Sequence, residues 1–126
     1  MPKDSIRLSN YTYEEKNILI RKIKEKVNKD EFVLIPREKN QFFLRLYRLN
    51  RTKVKNILSQ LAPDDFSYKT PDEKYSDYGN GMLIVFKKKI VLENINGIIK
   101  EVIVYIKCKE IDCGEIIPII SFHENE

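Results

Sequence analysis

Three side chains near the end of the chain could share acid–base chemistry: Tyr105, Lys107 and His123. In an extended strand, residues two apart lie on one face about 7 Å from each other. Tyr105 and Lys107 therefore stand side by side on one row of the segment 98–107, together with Ile103. The opposite row, Val102, Val104, Ile106 and Cys108, is apolar and reads as the buried one. By the same rule Ser121 and His123 share one face of the last apolar segment, with Ile120 and Phe122 on the other. If these two strands are neighbours, Tyr105, Lys107 and His123 meet on one surface.

Such a trio suits cleavage of RNA without a metal. The ribose 2′-hydroxyl must lose a proton as it attacks phosphorus, and the leaving 5′-oxygen must gain one. The phosphorane's extra charge needs a fixed cation. Histidine is the natural proton carrier near neutral pH. Tyrosine can orient a group, stack on a base or relay a proton, and lysine can hold the phosphate. The same residues also fit a plainer reading, in which Tyr105 and Lys107 are outer-face strand residues and His123 is simply exposed. Cys108 falls in the apolar row and Cys113 in a turn. The adjacent acids Asp64 and Asp65 resemble turn residues, so none of these four is assigned chemistry.

Composition narrows the choices. The 126 residues are 42% hydrophobic and 33% charged, a globular balance with room for a single domain over residues 1–126. No stretch approaches the roughly 20 apolar residues of a membrane span. Residues 1–10 lack the apolar core of a secretory signal, so a cytoplasmic protein with no membrane partner is expected. One histidine and two cysteines fall short of a four-ligand zinc site. The four glycines, Gly79, Gly81, Gly97 and Gly114, form no phosphate-cradling run, and no cofactor is expected. The net charge of +4 is unevenly spread: residues 1–61 carry +8 and residues 62–126 carry −4. From Arg45 to Lys55 there are five basic residues and no acid. That run suits either a polyanion such as RNA or a solvated helix face. Arg37, Arg45 and Arg48 are the candidate phosphate contacts.

The elements that must hold the trio follow from caps and periodicity. Thr12-x-x-Glu15 has the form of a capping box, and Leu19, Ile20, Ile23 and Val27 form a helical stripe behind it. A helix is expected over residues 13–28. Phe32 to Ile35, closed by Pro36, reads as a short edge strand or extended link. Residues 37–47 read as a second helix with Phe42, Phe43 and Leu46 on its buried side. Asn50 can cap a third, which presents Val54, Ile57, Leu58 and Leu61 and ends at Pro63. Residues 64–81, with Tyr68, Tyr75 and Tyr78, read as a long polar loop. Strand patterns then take over around the basic triplet Lys87, Lys88 and Lys89. Asn96-Gly97 signals a type I′ hairpin, a second turn is expected near 112–114, and the last strand over about 116–122. The fold class expected is α+β, N-terminal helices packed on a twisted antiparallel sheet.

These segments, taken in order, resemble a known family. Pro36-Arg37-x-x-Asn40-x-x-Phe43-Leu44-x-Leu46, then Leu49, Val54, Ile57-Leu58, Leu61 and Asp65-Phe66, is similar to the helical half of the MqsR toxins. Val104-Tyr105-Ile106-Lys107 and Ile120-Ser121-Phe122-His123-Glu124 resemble that family's closing strands. The resemblance covers residues 32–124 and implies a RelE-like fold. It also implies a metal-independent mRNA interferase of a type II toxin–antitoxin module, blocked by a cognate antitoxin protein that commonly binds operator DNA. It places Tyr105 in the catalytic surface, with His123 where the best-studied branch has a lysine. A further family lysine follows the Asp-Phe pair, and Lys69 stands one residue from that place, as a possible RNA contact. The family's glutamine on the early strands has no clear counterpart. Two rival readings stay open on the residues themselves: a non-catalytic RNA- or ribosome-binding module using the same basic face, and a small protein that keeps the fold for protein–protein contact.

Overall fold

The computed structural model describes residues 6–7, 12–71, 82–110 and 116–125. Helix α1 spans Tyr13–Asn28 and begins on the expected capping box. Thr12 Oγ1 accepts the Glu15 N–H (3.1 Å), and Glu15 Oε1 accepts the Thr12 N–H (3.3 Å). Helix α2 spans Glu38–Leu46 and α3 spans Arg51–Ser59. Asn50 caps α3 by accepting the Lys53 N–H at 2.9 Å. All three helices lie on one face of a six-stranded sheet, and the core fills the space between.

The strands are β1 (Ile6–Arg7), β2 (Phe32–Leu34), β3 (Phe66–Pro71), β4 (Met82–Glu93), β5 (Ile99–Lys109) and β6 (Ile117–Glu124). Their order across the sheet is β1-β3-β4-β5-β6-β2. Every neighbouring pair is antiparallel except β2–β6, which is parallel, so the sheet is mixed. The class is α+β as expected, but the antiparallel sheet takes a parallel strand on one edge. The row Val102, Val104, Ile106 and Cys108 is buried against the helices, as its alternation predicts. Among the described residues no helix is long and apolar enough to cross a membrane.

Four local expectations change. The polar loop of residues 64–81 begins with a 3₁₀ turn at Pro63–Asp65 and then becomes β3. Phe66 packs in the core while Tyr68, two residues on, faces the other side, because a β-bulge between them breaks the alternation. Residues 72–81, with Tyr75 and Tyr78, lie outside the described residues, as do the turn at 112–114 and Cys113. The β4–β5 hairpin is not type I′, since Gly97 (φ 78°) is in the left-handed region and Asn96 is not. Asn94 N–H reaches Ile98 O (3.0 Å) and Gly97 N–H reaches Asn94 O (3.0 Å), which makes a three-residue loop with glycine at its left-handed position. In α2 the buried stripe is Asn40 and Phe43, continued by Tyr47 just past the helix end, so Phe42, expected in the core, is instead 59% exposed.

The fourth change lies in β6. Lys107 pairs with Ser121, but Cys108 pairs with Ile119, so Ile120 is an extra residue, a β-bulge. Ile119 and Phe122, three apart, therefore both join the core, where simple alternation had put Ile120 with Phe122. The bulge is latched from α2. Asn40 is fully buried, donates from Nδ2 to Ile120 O (3.0 Å) and Ile35 O (2.9 Å), and accepts the Phe122 N–H at 2.8 Å.

Candidate functional site

Strand pairing brings the trio together. Directly opposed residues in antiparallel strands share a face. The register Lys87↔Tyr105↔His123 thus lays a lysine, a tyrosine and a histidine in one row across β4, β5 and β6. The next row runs Val85↔Lys107↔Ser121. Both rows lie on the face away from the helices. The Tyr105 and His123 rings stack with centroids 5.4 Å apart and planes inclined by 22°. Both residues are half-buried, as is Lys107.

The bulge at Ile120 is what turns His123 this way. Ile117 and Ile119 face the core, and unbroken alternation from them would aim residue 123 at the core as well. The extra residue reverses the parity and puts Ser121 and His123 on the Tyr105 side. His123 Nδ1 lies 3.0 Å from the Glu124 carbonyl oxygen. A carbonyl only accepts, so this hydrogen bond needs the proton on Nδ1 and leaves Nε2 as the basic nitrogen.

Around the pair stand groups that the sequence reading left unassigned. The Tyr68 hydroxyl lies 3.5 Å from that of Tyr105. Lys87 is exposed beside Tyr105, and Lys89, opposite Ile103, continues the same side of β4. The signal was present in the alternation: Phe86 and Ile90 are core-facing, so Lys87 and Lys89 must face outward together. Lys88, between them, turns to the helix side and pairs with Asp65 at 3.1 Å.

The candidate phosphate contacts separate. Arg37 Nη1 donates to Ser121 Oγ (2.8 Å) and to Ile120 O (3.2 Å), so it reaches the second row from the sheet edge. Arg45 lines a groove of about 520 Å³ between α2 and β6 that also takes in His123. Arg48 belongs elsewhere, in a second groove by the β4–β5 loop, where its Nη2 donates to Ile95 O (3.3 Å). Lys69 is not brought to the site. It is in register with core-facing Ile84, one residue out of phase with Tyr68, and forms an ion pair with Glu110. Three more cations of the basic run are occupied within the fold. Arg51 donates to Phe32 O (2.9 Å) and lies over the Phe32 ring (3.9 Å), Lys53 donates to Arg48 O, and Lys55 pairs with Asp30.

Two neighbours have shifted titrations. Burial, reinforced by the adjacent Glu124 carboxylate that accepts its hydroxyl at 3.1 Å, pushes the Tyr47 phenol up. Burial, with a smaller push from Glu110, raises the Cys108 thiol to about 12, so it is no nucleophile. Among the described residues no three His, Cys, Asp or Glu side chains converge as metal ligands would. The arrangement offers a proton-carrying ring, a stacked phenol and a bordering cation on one half-open sheet face. No protein-family model, curated protein or solved structure matches this chain.

Proposed function

We propose that this protein is a metal-independent endoribonuclease that cuts single-stranded mRNA, an MqsR-like toxin held in check by a cognate antitoxin protein. The observation that carries the reading is the row Lys87–Tyr105–His123 with its stacked tyrosine and histidine. The 2′-oxygen attacks the adjacent phosphorus, the P–O5′ bond breaks, and a 2′,3′-cyclic phosphate and a 5′-hydroxyl result. His123 Nε2 and the Tyr105 hydroxyl divide the two proton transfers, one removing the 2′-hydroxyl proton and the other protonating the leaving 5′-oxygen. Lys87, opposite Tyr105 on β4, and Lys107, two residues along β5, hold the phosphate as charge builds on it.

The test is turnover of a single-stranded RNA by substoichiometric purified protein, with the product ends identified. His123→Ala should lower the cleavage rate by about 10²–10⁴-fold, the usual worth of a positioned acid or base. Tyr105→Phe should remove most activity if the hydroxyl handles a proton. RNA binding without turnover would reduce the protein to a non-catalytic RNA-binding module. Full activity in His123→Ala would overturn the mechanism.

A further inference from the structure

His123 has two neighbourhoods. One is the Tyr105 ring on the sheet face, and the other is the groove between α2 and β6, which it lines together with Lys39, Phe42, Arg45 and Glu124. The short strand β2 pairs with β6 only through Phe32–Leu34 against Ile117–Ile119, so beyond that point α2 flanks β6. The two run in the same direction. Asn40 bonds Ile120 and Phe122, Phe43 packs edge-on against Phe122 (5.9 Å), and Tyr47 reaches Glu124. His123 is therefore level with the middle of α2.

On that helix Glu38, Phe42 and Arg45 follow at steps of four and three, one stripe along the groove. Phe42 is 59% exposed there, a large apolar ring without a place in the core. The Arg45 carbonyl accepts the Arg48 N–H at 3.3 Å, but among the described residues its guanidinium has no hydrogen-bond or ion-pair partner. Of the two acids at the groove, Glu124 is already engaged by Tyr47 and lies 3.8 Å from Lys100. Glu38 sits one turn before Phe42, so an anion is favoured at the Arg45 end. A flat ring beside a cation, one helical turn apart, matches the repeat of a nucleotide: base on ring, phosphate on guanidinium.

Resting on the ribonuclease reading, we infer that this groove is a second nucleotide subsite. The RNA strand crosses the sheet edge at His123, and the first nucleotide outside the pair joined by the scissile phosphate stacks its base on Phe42 and sets its phosphate against Arg45. The strand is thus read on both sides of the same histidine. Stacking is sequence-tolerant, so this subsite supplies affinity and chain-length preference rather than base choice.

Binding of two uncleavable probes tests this: a 2′-O-methyl RNA hexanucleotide of mixed sequence and a 2′-O-methyl dinucleotide. Phe42→Ala should weaken the hexanucleotide by about 5–100-fold, the usual worth of one stacked base, and leave the dinucleotide within twofold. Phe42→Trp should restore hexanucleotide binding, which a merely structural role would not predict. A hexanucleotide indifferent to Phe42→Ala, yet weakened by Tyr105→Ala, overturns the subsite and leaves the ribonuclease reading standing; the groove then serves a polypeptide or nothing. Equal losses for both probes also overturn it. No binding of either probe by the unaltered protein overturns both.

Discussion

Replacing Asn40 with leucine should remove the latch on β6 while keeping the side chain's bulk. The Phe122 N–H then has no acceptor, since Asn40 Oδ1 is its partner at 2.8 Å. Leaving a buried donor unpaired costs about 1–3 kcal/mol. The two carbonyls that Asn40 serves keep a second donor each: Arg37 N–H for Ile35 O (2.8 Å) and Arg37 Nη1 for Ile120 O (3.2 Å). Each should lose only about 0.5–1 kcal/mol. The sum is roughly 2–5 kcal/mol, which at a urea slope of about 2 kcal/mol/M lowers the midpoint by about 1–2.5 M. Asn40→Asp is a sharper probe. Its carboxylate still accepts from Phe122 but turns oxygen toward two carbonyl oxygens. Burial then raises its folded pKa, so stability is present below the unfolded value of about 3.9 and is lost as pH rises through the folded value. His123 is the only histidine, so its ring signals in a proton NMR spectrum are unambiguous. The upfield shift that stacking on Tyr105 imposes should shrink when the bulge slips. A leucine variant within about 1 kcal/mol of the parent, with unchanged histidine signals, would refute the argument that Asn40 sets the position of His123.

Three further outcomes follow from the same geometry. Arg45→Ala should reduce the salt slope of single-stranded RNA binding by about 0.7, whereas Arg48→Ala, off the site, should leave it unchanged; equal effects would return the basic run to a solvated face. Cys108 should be silent to thiol reagents until the protein unfolds. Because its folded pKa is raised to about 12, stability should be intact below its unfolded value and fall as pH climbs from about 9 toward 12, with Tyr47 adding to the loss in the same direction; a flat alkaline stability profile would contradict this. Cleavage should survive a chelator, and activity lost to EDTA and restored by Mg²⁺ would overturn the proposed proton-transfer mechanism.

Local chemistry was legible in the sequence wherever a few adjacent residues decide it. Thr12 with Glu15 and Asn50 announce helix starts because a cap needs only the next three residues. The row Val102 to Cys108 announces a buried strand face because alternation is a local rule. The same rule makes Tyr105 and Lys107 neighbours, and it holds. Periodicity misplaced Phe42, because a helix with two adjacent phenylalanines can bury one and expose the other, and only the packing against Phe122 chooses. It missed β3, whose strand is defined by its partners β1 and β4 more than by its own composition. It put His123 on the right side of β6 while assuming a regular strand that does not exist. What aims His123 at Tyr105 is one extra residue at Ile120, held by Asn40 from 80 positions earlier in the chain. Parity along a strand is written in the sequence. A bulge that reverses parity depends on which buried groups need a distant hydrogen-bond partner, and that is settled only when helix and strand are packed together.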